Sequence, residues 1–279
     1  MSEQHVVEAT PTPRTVQTLS ADLQLLGVKD GGVLLVHSSL KSIGWVVGGA
    51  RTVIQALLDV LGPKGTLVMP AHSGSLSEPS EWENPPVPEA WWPLIRQEMP
   101  AFDAQRTPSA GMGVIAEQFR TWPGVVRSQH PCVSFCALGP QAERITANHS
   151  LEFSLGERSP LGRLYELQAQ TLLLGVNYDS NTCFHLAEYR VRQPTSYIGH
   201  APVIRDGERI WAAFADVDFQ TEWFPAIGEA WDRSGAVQLG WVGSAPSRLF
   251  SLPSAVDFAR EWLDEHPQRN SMTDGSSDQ

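Results

Sequence analysis

At 279 residues and 42% hydrophobic content, the chain is long enough to bury a large core as a single α/β domain. No window approaches the roughly 18 consecutive apolar residues of a membrane span, and the opening MSEQHVVEATPTPR lacks a basic-then-apolar signal pattern, so a cytoplasmic protein off the membrane is expected. Twenty Lys plus Arg against 31 Asp plus Glu give a formal charge of −11, which leaves no basic patch for nucleic acid but permits a cationic ligand.

Residues 1–14 and 268–279 are polar, with Thr-Pro repeats at the front and NSMTDGSSDQ at the back. Both tails are expected to lack fixed structure, which leaves 15–267 as the domain. Residues 15–26 read as a helix, VLLVHSS from Val33 as a strand, 50–61 as a helix ended by Gly62-Pro63, and GTLVMPA from Gly65 as the next strand. Continuous apolar strands in a β-loop-α-β order predict a sheet covered by helices on both faces. Residues 72–108, dense in Pro, Trp and Glu, form an irregular insertion with one short helix near 89–97, and Trp82, Trp91 and Trp92 in it are placed to shape a site. A helix is expected over 111–120, a strand over 132–138, a short helix over 160–166 and a central strand over 171–176. In PVIRDGERIWAAF, Asp206-Gly207 between two strand-like runs predicts a hairpin, so the sheet is mixed with an antiparallel part toward the C-terminus. A last helix over 253–265 begins with Pro near its first position. There is no internal repeat and no linker.

The stretch GVNYDSNTCFHLAEYR, residues 175–190, is the most informative. An apolar run delivers the chain into a polar turn, with Asp179, Asn181 and Thr182 expected to cap a helix carrying His185 and Glu188. Residues three apart share a helix face, and a carboxylate beside an imidazole fixes its tautomer and stabilises the imidazolium. His185 is thus a candidate general base, although a His and a Glu at this spacing also occur as a structural pair.

Two turns could receive anions. Gly44, Gly48 and Gly49 lead into the helix near Ala50, and Arg106, Thr107 and Ser109 precede the helix near Gly111. Neither is a Walker loop, and each also reads as an ordinary strand-to-helix turn or helix cap. Together they suggest a long phosphorylated ligand such as coenzyme A. Cys132, Cys136 and Cys183 show no CxxC spacing, so free thiols are expected rather than disulfides or a zinc site.

VHSSLKSIGWVVGGA, TPSAGMG, HSLEFSLGERSPLGRLY and LLLGVNYDSNTCFHLAEYR, in this order, resemble the aminoglycoside 3-N-acetyltransferase family over residues 19–263. The resemblance implies a mixed α/β sandwich of the family's own kind, not the common acetyltransferase fold, whose Arg/Gln-x-x-Gly-x-Gly/Ala signature is absent. It implies direct transfer of acetyl from acetyl-CoA to the 3-amino group of a deoxystreptamine ring, with no metal and with antibiotic resistance as the outcome. It further implies His185 as the base, oriented by Glu188. His37, Ser38, Ser39 and Leu40 would line the pantetheine channel, and Gly48, Gly49, Arg106, Thr107 and Ser109 would lie near the phosphate end.

Carboxylates would attract and orient the polycation, and Asp179, Glu152, Glu157, Asp103 and Glu81 are the candidates. Thr182 is a candidate donor to the thioester oxygen. Alternatives stay open: an acyl-enzyme transferase or hydrolase using Cys183, an acetyltransferase for a non-antibiotic amine, a metal hydrolase built from His37, His72, His149 and His185, and a drug-sequestering protein. A homodimer is compatible with the chain.

Overall fold

The computed structural model describes residues 3–266; the expected tail 268–279 lies outside the described residues. Within 1–14, expected to be without fixed structure, the chain forms helix α1 (Glu3–Glu8), and Arg14 is bonded on both sides, to Val46 through a parallel bridge and to the Ser244 hydroxyl at 3.0 Å.

The succeeding elements are α2 (Val16–Leu26), β1 (Val33–Ser38), α3 (Leu40–Ile43), α4 (Ala50–Leu61) and β2 (Thr66–Pro70). After the insertion, which holds α5 (Trp92–Glu98), come α6 (Gly113–Arg120), β3 (Val126–Arg127), β4 (Phe135–Leu138), α7 (Ala142–Thr146), α8 (Pro160–Glu166), β5 (Gln170–Leu174) and α9 (Cys183–Glu188). The chain closes with β6 (Ser196–Arg205), β7 (Glu208–Val217), α10 (Phe224–Arg233), β8 (Gln238–Val242), β9 (Ala245–Ser251) and α11 (Leu252–Glu265).

The main sheet has seven strands in the order β3-β4-β2-β1-β5-β9-β8. Its centre, β2-β1-β5, is parallel, and antiparallel strands flank it on both sides. Parallel strands buried on both faces read as unbroken apolar runs, which is why VLLV and TLLL are legible in the sequence. Strand alternation sends Leu34, Val36, Leu67, Met69, Leu172 and Leu174 to one core with α2, α4 and α6. Leu35, Val68 and Leu173 go to the other, under α8, α9, α10 and α11.

The hairpin expected at Asp206-Gly207 is present. Both residues adopt positive φ (53° and 83°), as the two central positions of a type I′ turn demand, and β6 and β7 pair from Arg205↔Glu208 outward as a separate two-stranded sheet. That hairpin is tied to the insertion rather than to the main sheet. The Phe102 amide donates to the Pro202 carbonyl at 3.3 Å, Arg209 donates to the Arg96 and Met99 carbonyls at 2.5 and 3.0 Å, and the Tyr197 hydroxyl donates to Glu81.

Candidate active site

The parallel strands end together at a cavity of about 610 Å³, within the size range of small-molecule sites, and the C-terminal ends of such strands are where open α/β sheets place ligands. Its wall includes His37 and Ser38 from the end of β1, Ser39 and Leu40 at the start of α3, Pro70 at the end of β2 and His72 just beyond it, Met112 and Gly113 from the start of α6, and Asp179, Thr182, His185 and Phe224.

His185 and Glu188 form the pair expected from their spacing. Imidazole Nδ1 stands 2.6 Å from Glu188 Oε2, and both side chains are largely buried. The other carboxylate oxygen accepts the Gln220 amide at 2.6 Å, so the acid is held from both sides. With Nδ1–H donated to the carboxylate, Nε2 carries the lone pair and is the basic atom. Phe219 and Phe224 pack against the ring with centroids 4.4 and 4.9 Å away, which leaves it little freedom to turn. The helix itself is short and is held by burial of Cys183, Phe184, Leu186 and Ala187. Capping is not as expected. Thr182 occupies the N-cap position without a side-chain bond, Asp179 lies in a preceding 3-10 turn, and Asn181 Oδ1 accepts from the Cys183 thiol at 3.1 Å.

Of the expected cofactor residues, His37, Ser38, Ser39 and Leu40 line the cavity. Gly48, Gly49, Arg106, Thr107 and Ser109 are not part of its wall. Gly48 and Gly49 take positive φ (78° and 61°) in the turn that leads into α4. The Arg106 guanidinium is exposed beside Asp103 at 3.9 Å, the Thr107 hydroxyl accepts the Asp103 amide, and Ser109 is bonded to Glu117 at 2.6 Å through its hydroxyl. An exposed lysine of α3, Lys41, also borders the cavity; a lone Lys carries no signal in the sequence.

The carboxylates proposed for a polycation divide as well. Asp179 is exposed at the cavity wall. Glu157 is paired with Arg190 at 2.6 Å, Asp103 accepts two backbone amides of its own turn (2.8 and 3.0 Å), Glu81 accepts from Tyr197, and Glu152 is exposed; none of these four borders the cavity.

Buried Arg127 was also missed. It donates to the Ala71 and Thr107 carbonyls and to the Ser73 and Ser134 hydroxyls, stacks 4.9 Å from the Phe102 ring, and so ties the insertion to the end of β2. Burial without a carboxylate partner pulls its guanidinium down to about 10. The Cys183 thiol is fully buried, pushed up to about 12 by that burial, and absent from the cavity wall. Among the described residues no group of three or more His, Cys, Asp or Glu could hold a metal ion, and no helix is long and apolar enough to cross a membrane.

An imidazole held by a buried carboxylate, at the wall of a cavity that also presents serine hydroxyls, is an arrangement suited to acid–base chemistry on a bound small molecule. The model of the aminoglycoside 3-N-acetyltransferase family matches residues 35–264, and the chain belongs to that family of acyltransferases. The SPbeta prophage-derived aminoglycoside N(3')-acetyltransferase-like protein YokD of Bacillus subtilis is 50% identical over 95% of this chain and 98% of its own. Its crystal structure superimposes with a TM-score of 0.93. The AAC-IIIb complex with CoASH (31% identity, 92% and 100% of the two chains, TM-score 0.82) and AAC-VIa bound to sisomicin (30%, the same coverage and TM-score) share the fold.

Proposed function

We propose that this protein transfers acetyl from acetyl-CoA directly to the 3-amino group of the 2-deoxystreptamine ring of an aminoglycoside, with His185 as general base, and thereby confers resistance to the antibiotic. The observation that carries this reading is the 2.6 Å His185–Glu188 pair at the wall of the cavity that His37, Ser38, Ser39 and Leu40 also line.

The wall fits a pantetheine thioester. Val36, Met112 and Val176 give it apolar surface, Ser38 and Ser39 give it hydroxyls, and Lys41 at its edge suits a phosphate. Asp179 is the carboxylate placed to meet an ammonium group of the acceptor. An ammonium has no lone pair, so the acceptor nitrogen becomes nucleophilic only as His185 Nε2 takes a proton from it. Glu188 stabilises the imidazolium that results. The C–N bond then forms while the C–S bond breaks, His185 returns its proton to the departing sulfur, and the new amide nitrogen gives its surplus proton to solvent, so one proton is released overall and the enzyme ends as it began.

Transfer through Cys183 is disfavoured by a thiol that is buried and turned toward Asn181. The test is thiol release from acetyl-CoA in the presence of an aminoglycoside. His185→Ala is expected to lose about two to four orders of magnitude in kcat, and intact mass after incubation with acetyl-CoA alone should show no acetylated protein. An acetylated protein, or near-parental turnover by His185→Ala, overturns the reading.

A further inference from the structure

Besides the base, His37, His130 and His149 are buried and His72 is half-buried, and the four are not alike. His149 is fully paired, with Nδ1 at 2.9 Å from the Ser128 hydroxyl and Nε2 at 2.6 Å from the Ser154 carbonyl. His130 is also paired, its Nδ1 accepting the amides of Cys132 and Val133 at 3.1 and 3.0 Å and its Nε2 meeting the Leu151 carbonyl at 3.3 Å. His37 and His72 differ: each has a buried Nε2 that no protein group satisfies, and both residues line the cavity with His185. His200 also keeps one unpaired ring nitrogen, but it lies on β6, outside that wall.

Strand alternation explains the placement. His37 follows Leu35 by two and His72 follows Val68 by four, so both stand on the sheet face that α9 covers, at the ends of neighbouring parallel strands. The edge of the His72 ring meets Phe135 at 5.4 Å. A buried polar atom left without a partner costs about 1–3 kcal/mol, so two such ring nitrogens on residues that line one cavity with His185 are not accounted for by packing.

Resting on the reading that His185 serves an acetyl thioester, we propose that His37 and His72, each protonated on Nε2 and neutral overall, are the donors that receive the thioester carbonyl oxygen as it gains negative charge. Burial and the neighbouring His185 hold both rings down at about 3. They therefore remain uncharged near neutrality and do not compete for the proton that His185 must hold. A neutral imidazole N–H that is shielded from water and unpaired in the free protein gains a hydrogen bond, and gives none up, when an anionic oxygen reaches it, which is the property required of an oxyanion site. Because both rings touch the reacting oxygen in this arrangement, both are catalytic residues.

Binding of acetyl-CoA labelled with 13C at the acetyl carbonyl is measured first, by calorimetry. The carbonyl stretch of the bound molecule is then read by difference infrared spectroscopy. In the parent protein the band should lie at lower wavenumber than in water, and it should rise in His37→Phe and His72→Phe, which keep an aromatic ring but remove the donor. Each Phe variant should lose about 100-fold or more in kcat. His37→Gln and His72→Gln, whose amide can reach the Nε2 position, should recover to within about tenfold of the parent. A bound band at or above its position in water overturns the proposal, and this reading needs no variant to fold. Equal losses for Phe and Gln in variants that melt and bind acetyl-CoA like the parent also overturn it. Failure of acetyl-CoA to bind overturns the underlying reading and this one with it, whereas binding without the infrared shift overturns the imidazole donors alone.

Discussion

Replacing Glu188 by Gln tests the pair at the heart of the site with almost no change of shape. The carboxylate sits 2.6 Å from His185 Nδ1 and is 4% exposed, so solvent screens the pair only weakly. With charge centres about 4 Å apart and an effective dielectric of about 20, the attraction between imidazolium and carboxylate is about 4 kcal/mol. The amide of Gln can still accept the Gln220 N–H but cannot neutralise the imidazolium. At about 1.4 kcal/mol per decade, kcat should fall by roughly 100- to 1,000-fold. Glu188 does not border the larger cavity, so KM for acetyl-CoA should stay within about twofold on this geometry. The assay is continuous thiol detection at saturating acetyl-CoA and aminoglycoside, with thermal melting of the same preparations. A Glu188→Gln protein with kcat within about fivefold of the parent and an unaltered melting temperature would refute the role given to the acid.

Cys183→Ala, which removes a buried thiol outside the cavity wall, should keep kcat within about fivefold, because a thiol so placed cannot reach a thioester in the cavity; loss of all turnover by a folded variant would restore the covalent route. Gly228→Ala should cost about 1–3 kcal/mol, read as a lower urea midpoint, since the added Cβ would sit 2.0 Å from the Tyr178 ring. That ring stacks on Phe184 at 5.8 Å and donates to Asp232 at 2.7 Å, so its displacement should also disturb α9 and lower kcat. Stability should fall with acid from about pH 6.5. Burial holds His149 at about 4, His37 and His72 at about 3 and His130 well below its ordinary value. The unfolded chain therefore binds protons that the folded one refuses. The stabilisation is complete above the unfolded histidine value of about 6.5 and is lost as pH falls toward the folded values, at up to about 1.4 kcal/mol per unit for each ring. Urea titrations at pH 7.5, 6 and 5 should show midpoints dropping in that order, and a flat profile would contradict the buried neutral rings.

What was legible in the sequence is what is local. VLLV, TLVM and TLLL announce buried parallel strands, Asp206-Gly207 announces its turn, and the three-residue spacing of His185 and Glu188 is enough to bring them together on one turn of helix. Strands β8 and β9 escaped because QLGWV and APSRLFS alternate weakly, and their pairing depends on β5, some seventy residues earlier in the chain. The anion turns are ambiguous in the sequence for a related reason. Glycines at 48 and 49 look the same whether they cradle a phosphate or merely reverse the chain, and only tertiary placement shows that the cavity lies elsewhere. Nor does the sequence show that Glu157 pairs with Arg190 or that Glu81 accepts from Tyr197, contacts between segments 33 and 116 residues apart. His72 carried no motif of its own, and its place in the wall follows from strand parity at the end of β2.

The position of β9 has a consequence for synthesis. Strand β5 is flanked by β1 on one side and by residues 245–251 on the other, so its second edge stays open until those residues, some seventy further along, have left the ribosome. An open apolar edge is a template for pairing with other chains, and contacts this distant in sequence form slowly. Newly made protein must therefore cross an interval in which it is prone to self-association, and versions shortened ahead of residue 245 should accumulate as insoluble material.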